Sequence, residues 1–456
     1  MNKCPETTDN VEEVVLNVIR PTRRQLTILS SFFRHVKRTY EACLNRLGLK
    51  GEVTVQGSYA KGTILSDKWE IDIFIILEGV DKEWIKREGE AFLRECASRH
   101  LPYTIRYSEH PYITVSMMGL EADIVPVARP EPSRLEGLGV ERTPLHTEYV
   151  RSKMDRELAD QARLLKSFLR GVGVYGAEVR TRGFSGYLAE LLTITYGSFR
   201  DVLRAASGWR PGVYIDPEGV GDEKVLRRRY RDSVMIVVDP VDPKRNTAAA
   251  VSVQSLATFV AAAKLYLEHP HTWFFHACQP SRPPLPGLDM YRLNVDCRGP
   301  LYNHPPDAVW GKALRALESL TNRLRRTGFK IAHHTVATDE YHTLTFSIIL
   351  EECGLSSMEV VQGPYAWSPT ERLTKFVLKR LSEGGGAWIS IDRMIGSRPR
   401  RFKDAAEAAR HWLASEESAS LHDLGVSCRV VCEKCGHGEC NPTPAWIASL
   451  LRGRGR

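Results

Sequence analysis

Residues 55–77 read VQGSYAKGTILSDKWEIDIFIIL: a Gly-Ser step, a lysine, then two carboxylates, Glu70 and Asp72, in an otherwise apolar run. Successive side chains of a β-strand point to opposite faces, so Glu70 and Asp72 share one face while Ile71 and Ile73 take the other. Two anions side by side repel each other and resist burial unless a cation stands between them. Hard divalent metals take carboxylate oxygens presented in this way, so the strand predicts a Mg²⁺ site. The bland alternative is an exposed edge strand whose carboxylates face water. The turn before the strand favours the metal. Gly57 permits a tight bend, Ser58 and its neighbouring amides can cradle phosphate oxygens, and Lys61 can neutralise a triphosphate as a point charge. LEADIVPV (120–127) adds Asp123 on a further strand, which a sheet can bring beside Glu70 and Asp72. Three converging carboxylates predict a two-metal site, in which one ion activates a hydroxyl and the other clamps a triphosphate and its leaving pyrophosphate.

The chain has 456 residues, 43% of them hydrophobic and 26% charged, which predicts an ordinary globular protein of two to four domains. No run of 18 apolar residues suggests a membrane span, and MNKCPETTDNVEEVV lacks the basic-then-apolar pattern of a secretory signal, so a cytoplasmic protein is expected. A net charge of +8 hints at a polyanionic partner.

Residues 11–49 read as helical, with Pro21 near a helix start and Gly48 near the stop. EVTVQG, EIDIFIIL, YTIRYSE, YITVSMM and EADIVPV read as strands, with a helix over DKEWIKREGEAFLRECASRH. This α/β domain ends near residue 150. Leu158, Ala162, Leu165 and Leu169 at helical spacing open a largely helical region. The Pro-rich CQPSRPPLPGL (278–288) marks the next boundary. Beyond it, strands over MYRLNVD and TLTFSIILEE flank an amphipathic helix through Trp310, Leu314, Leu317 and Leu324.

GSYAKGT, EIDIFI and EADIVPV together resemble the nucleotidyltransferase superfamily. VERTPLHTEYV (140–150), RLLKSFLRGVGVYGAEVRTRGFSGYLAELL (163–192), YGSF (196–199) and VVDPVDPKRNTAAAVS (237–252) narrow the resemblance to the archaeal class I CCA-adding enzymes, which build the 3′-terminal CCA of tRNA without a nucleic-acid template. The blocks span residues 10 to 275, and the resemblance weakens through the last third. It implies a multidomain α/β and α+β chain. Residues 1–150 form a nucleotidyltransferase palm with a mixed sheet, 151–277 a helical nucleotide-recognition domain, and 278–456 an α+β tRNA-binding region and tail. It implies that Glu70, Asp72 and Asp123 hold Mg²⁺, that Ser58 and Lys61 contact the triphosphate of ATP or CTP, and that His146, Lys166 and Tyr175 contact the nucleotide. Arg245 in DPKRN matches an arginine implied in reading the base. Lys61 stands where the family usually carries Arg, which keeps the charge and loses a bidentate grip.

Each residue also has an ordinary reading. His146 alone would be a turn histidine, Lys166 a solvated position beside an apolar stripe, Tyr175 a packing residue, and DPVDPKRN a capped turn with Asp242 and Pro243 opening a helix. The collinear run of blocks, and no single residue, favours the functional reading. In the last third, SPTERLTKFVLKRL places Leu373, Phe376, Val377 and Leu381 on one helical face and Arg372, Lys375 and Lys379 on another, which could track tRNA phosphates at the acceptor stem. Cys428, Cys432, Cys435 and Cys440 lie with His437 within thirteen residues, and structural Zn²⁺, disulfides and free thiols all remain open. Rival functions are a poly(A)-type polymerase or oligoadenylate synthetase on the same palm, and a catalytically silent RNA-binding protein. A homodimer is compatible with these residues, whose pattern encodes no legible oligomeric state.

Overall fold

In a computed structural model the structure describes residues 4, 10–97, 101–107, 111–129, 139–280, 287–436 and 440–451. Two compact units emerge, Met1–Pro283 with Pro444–Arg456, and Pro284–Thr443.

The first unit opens with α1 (Val11–Ile19) and α2 (Arg23–Leu47), separated where Pro21 removes a helical donor. Thr22 caps α2 by accepting from the Gln25 amide, and Gly48, at φ 66°, closes it in the left-handed conformation. Then follow β1 (Gly51–Gln56), the single turn α3 (Gly57–Ala60), β2 (Glu70–Leu77), α4 (Lys82–Ala97), β3 (Tyr103–Tyr107), β4 (Pro111–Met117) and β5 (Leu120–Ala128). The sheet order is β1-β2-β5-β4-β3. Only β2 and β5 run parallel, so the sheet is mixed, as expected. Ile71, Ile73, Ile75 and Leu77 alternate into a core shared with Leu29, Val36 and Tyr40 of α2 and Phe92 and Leu93 of α4. The opposite face of β2 therefore carries Asp72. The β2–β5 register places Asp72 directly opposite Asp123.

The helical part comprises α5 (Thr143–Lys153), α6 (Arg156–Gly171), α7 (Gly186–Tyr196), α8 (Phe199–Ser207), α9 (Glu223–Arg229) and α10 (Val253–Glu268). A small sheet of β6 (Val213–Ile215), β7 (Met235–Asp239) and β8 (Asp242–Asn246) is inserted among them. Asp242 and Pro243 do not open a helix. They start β8, and α10 begins only at Val253, where Ser252 accepts from the Ser255 amide. An aromatic core of Phe168, Phe184, Phe199, Phe259, Tyr266, Phe274 and Phe275 holds this part, and α1 packs into it through Val11, Val15, Leu16 and Ile19. The short α15 (Ala445–Ala448) adds Trp446, whose ring centroid lies 5.6 Å from that of Phe274.

The second unit contains β9 (Tyr291–Arg298), α11 (Pro306–Arg326), β10 (Ile331–Thr338), β11 (Thr343–Leu350), β12 (Met358–Tyr365), α12 (Thr370–Ser382), β13 (Ala387–Ser390), β14 (Arg393–Pro399), α13 (Ala405–Leu413), α14 (Ala419–His422) and β15 (Ser427–Lys434). Its larger sheet, ordered β10-β11-β9-β15, buries Leu293, Val295, Phe346 and Ile348 against Leu317, Leu320 and Leu324 of α11 and Trp412 of α13. A second sheet, β12-β14-β13, carries α12. The expected apolar face of α12 is only partly right. Leu381 is 56% exposed, whereas Arg380 is buried and pairs with Glu383 at 2.9 Å.

Zinc at Cys428, Cys432, Cys435 and Cys440 is corrected by the structure, in which these sulfurs are disulfide-bonded and offer no thiolate to a metal. Cys428 bonds Cys297, Cys432 bonds Cys353, and Cys435 bonds Cys440. His437 lies outside the described residues. Cys4–Cys278 and Cys43–Cys96 complete the set. No helix among the described residues is long and apolar enough to cross a membrane.

Candidate active site

The site starts from the β1–α3 turn. Gly57 holds φ 65°, and a Cβ added there would meet the Asp72 carboxylate at 1.8 Å. Only glycine lets the backbone lie this close to the carboxylate, and Ser58 follows in the same turn. Asp72 and Asp123 stand side by side across the parallel pair. Thr114 on β4 donates to Asp123 Oδ1 at 2.6 Å, holding that carboxylate in place.

Electrostatics agree with a cation-seeking pair. Burial, with the charges of Asp123 and Glu70, pushes the Asp72 carboxyl up to about 6, against the pull of Lys61 and Lys68. Burial likewise raises Asp123, with Thr114 and Arg106 working the other way. Glu70 is exposed and bonded to Lys68, and its charge helps to raise both Asp72 and Asp123. Among the described residues no group of three or more His, Cys, Asp or Glu side chains is arranged to hold a metal. The Asp72–Asp123 pair nevertheless has the donor chemistry of a hard-cation site: excess negative charge, partly desolvated, on one sheet face. An open cavity of about 370 Å³ reaches Glu70 and is lined by Asp67, Lys68, Ser116, Glu121 and Arg170.

Two ionic clusters are built on buried carboxylates of the helical part, Glu190 and Asp239. In one, Glu190 of α7 accepts from Thr63 at 2.5 Å, Lys166 at 2.7 Å and Lys61 at 3.0 Å. Burial alone would raise its carboxyl, but the two lysines outweigh it and hold Glu190 at about 2. Tyr175 packs nearby. A Cβ on Gly186 would meet its hydroxyl at 2.8 Å and Lys166 Cε at 3.8 Å. In the other, Asp239 at the end of β7 pairs with His146 Nε2 at 2.9 Å and accepts from Arg245 at 2.8 Å and the Tyr187 hydroxyl at 3.1 Å. The His146 ring stacks on Tyr187 with centroids 4.0 Å apart. Burial lowers the His146 pKa despite Asp239, so the imidazole is neutral at pH 7. Lys61 links the clusters, its Nζ lying 4.9 Å from the Tyr187 ring centroid. Arg163 braces the loop after Lys61, donating to the carbonyls of Gly62 and, at 3.0 Å, Ile64.

The structure thus gathers Lys61, Lys166 and Tyr175 around Glu190, and His146 and Arg245 around Asp239. Glu190, Asp239, Tyr187 and Thr63 escaped the sequence reading. A carboxylate inside the apolar helix GYLAELL, and another ending the apolar strand MIVVD, were the available signals: each demands a buried partner.

Residues 36–152 match the nucleotidyltransferase domain, 160–276 the second domain of tRNA nucleotidyltransferases, and 301–427 the C-terminal domain of CCA-adding enzymes. The chain is 41% identical to the CCA-adding enzyme of Aeropyrum pernix, across 98% of this chain and 97% of that protein. It belongs to the archaeal class I CCA-adding enzymes. Among other CCA-adding enzymes, that of Sulfurisphaera tokodaii is 37% identical over 89% of this chain and 92% of its own. That of Saccharolobus shibatae is 35% identical over 87% and 90%. The CCA-adding family match also reaches the last third, where the quoted sequence blocks thin out.

Proposed function

We propose that this chain adds C, C and A to the 3′ end of tRNA from CTP and ATP, without a nucleic-acid template and with release of pyrophosphate. The observation that carries the reading is the Asp72–Asp123 pair set in register on one sheet face, in a chain 41% identical to a CCA-adding enzyme. Residues 1–150 supply the catalytic palm, 151–277 recognise the nucleotide, and 278–456 hold the tRNA acceptor stem, in the cytoplasm.

Glu70, Asp72 and Asp123 would hold Mg²⁺. When bound, the metal lowers the pKa of the tRNA 3′-hydroxyl and offsets the charge developing on the leaving pyrophosphate. The β1–α3 turn, through Ser58, and the ammonium groups of Lys61 and Lys166 orient the triphosphate for in-line attack. Tyr175 and the neutral His146 shape the nucleotide pocket. Arg245, fixed by Asp239, donates to the acceptor edge of the base, and a mismatched edge leaves polar groups unpaired at about 1–3 kcal/mol each.

The test is extension of a tRNA transcript lacking its CCA, with CTP, ATP, both, or UTP and GTP. Two C residues followed by a single A are expected. An indefinite A tail would move the chain to the poly(A)-type class, and no extension of a bound tRNA would mean a silent palm.

A further inference from the structure

Glu190 is 1% exposed in an apolar helix, yet it carries a full charge. Two lysines from distant parts of the chain converge on it, Lys61 from the loop after α3 and Lys166 from α6, on opposite carboxylate oxygens. Thr63 accepts from Lys166 at 2.8 Å while donating to Glu190, which closes the ring of contacts. Two ammonium groups against one carboxylate leave the cluster with one positive charge in excess. Burying a net charge is costly, and an apolar replacement of similar volume is often no worse for stability. Such a cluster makes physical sense where an anion arrives to complete it. Lys61 closes the turn α3, whose first residue, Gly57, lies against the Asp72 carboxylate, so the surplus charge belongs to the same turn as the metal-seeking pair. Gly186 and Glu190 lie one turn apart on α7, so the helix face that holds the lysines also seats Tyr175.

We propose that Glu190 is a positioning residue that holds Lys61 and Lys166 side by side as paired donors for the triphosphate of the incoming nucleotide. The inference rests on the nucleotidyl-transfer reading above. Glu190 does not touch the nucleotide. It fixes the spacing of the two ammonium groups, so that binding organises flexible side chains at little further entropic cost. Because the cradle acts on the phosphates, it serves CTP and ATP alike.

The test compares wild type with Glu190→Gln, which keeps shape and removes charge. Binding of inorganic tripolyphosphate, CTP and ATP is measured by calorimetry, and KM and kcat by tRNA extension. About a tenfold rise is expected in all three dissociation constants and in KM, with a smaller change in kcat at saturating nucleotide and an unchanged CTP-to-ATP preference. A merely structural role would reduce the folded fraction, lowering apparent kcat and leaving KM alone. Wild-type KM and tripolyphosphate affinity in folded Glu190→Gln would overturn the proposal. Should that variant not fold, Thr63→Val carries the test. It should raise KM severalfold for both nucleotides, and an unchanged KM there would overturn the idea equally. Glu190-dependent tripolyphosphate binding in a wild-type protein that extends no tRNA would support the positioning role and overturn the CCA reading. Normal extension with an unaltered KM in the variant would do the reverse.

Discussion

Asp72 is held in a state the fold alone does not favour. Burial and the neighbouring carboxylates raise its carboxyl to about 6, so the ionised form costs folding free energy. The sign follows directly. The cost is full above pH about 6 and is relieved as pH falls toward the ordinary carboxylate range. Asp72→Asn should therefore abolish incorporation, leave tRNA affinity nearly unchanged, and stabilise the metal-free protein by about 1–3 kcal/mol at pH 7.5. Denaturant unfolding at pH 7.5 and pH 4 checks this, because the gain should shrink at the lower pH. A variant less stable than wild type at both would contradict the strain. Arg245→Ala makes the complementary case. It frees Asp239 of one partner at 2.8 Å and should blur the choice between nucleotides more than it weakens RNA binding. Competition between CTP and UTP on one transcript reads this out, and undiminished selectivity would remove Arg245 from base reading. That Glu70 and Asp72 share a strand face was legible in the sequence, because alternation decides it whatever the fold, whereas Asp123 stands beside Asp72 only through the β2–β5 register. Glu190 and Asp239 were not legible, since a lone acid in an apolar run shows that a partner must exist without saying which.

Local elements were legible where one residue type decides the backbone. Pro21 separates α1 from α2, and Gly48 ends α2 with positive φ. The sequence misled where the outcome depends on what packs alongside. DPVDPKRN has the chemistry of a helix start, yet pairing with β7 makes it a strand whose Asn246 side chain bonds the Val237 amide at 3.0 Å. In α12, helical spacing groups Leu381 with Leu373, Phe376 and Val377. The adjoining sheet instead covers Arg380, whose stem lies where a Cβ on Gly396 would meet it at 2.6 Å. The β1–α3 turn is the element on which the site depends most. Gly57→Ala forces a methyl group into the Asp72 carboxylate and penalises positive φ at once. A displacement of the carboxylate by about 1 Å is enough to cost about a hundredfold in rate. A fall of at least that size in kcat is expected, with near-native circular dichroism, and extension assays check it. Activity within about twofold of wild type would show that the close approach is dispensable.

Across the whole molecule, the disulfides are the feature sequence reading handled least well. Four cysteines and a histidine in thirteen residues look like one local site, because sequence shows proximity along the chain and conceals proximity across a sheet. On β15, Cys428 faces Cys297 of β9 directly, while Cys432 reaches Cys353 and Cys435 closes a short loop with Cys440. Each unit is cross-linked within itself, over sequence separations as long as 274 for Cys4–Cys278 and 131 for Cys297–Cys428. Such closures restrict the unfolded chain and typically contribute about 2–4 kcal/mol apiece. Disulfides are rare in cytosolic proteins of mesophiles, whereas intracellular proteins of hyperthermophilic archaea and bacteria can be rich in them. Thiol titration of the protein denatured without reductant should find no free thiol among the ten cysteines, and all ten after reduction. Zinc should stay well below one atom per chain, and prior reduction should lower the thermal midpoint markedly. The proposed active site draws on β2, β5, α6 and α7 and no cysteine is among its proposed ligands, so reduced protein held well below that midpoint should keep most of its CCA-adding rate. Ten reactive thiols before reduction, or stoichiometric zinc, would overturn the cross-linked architecture while leaving the carboxylate site untouched, because the two rest on different residues.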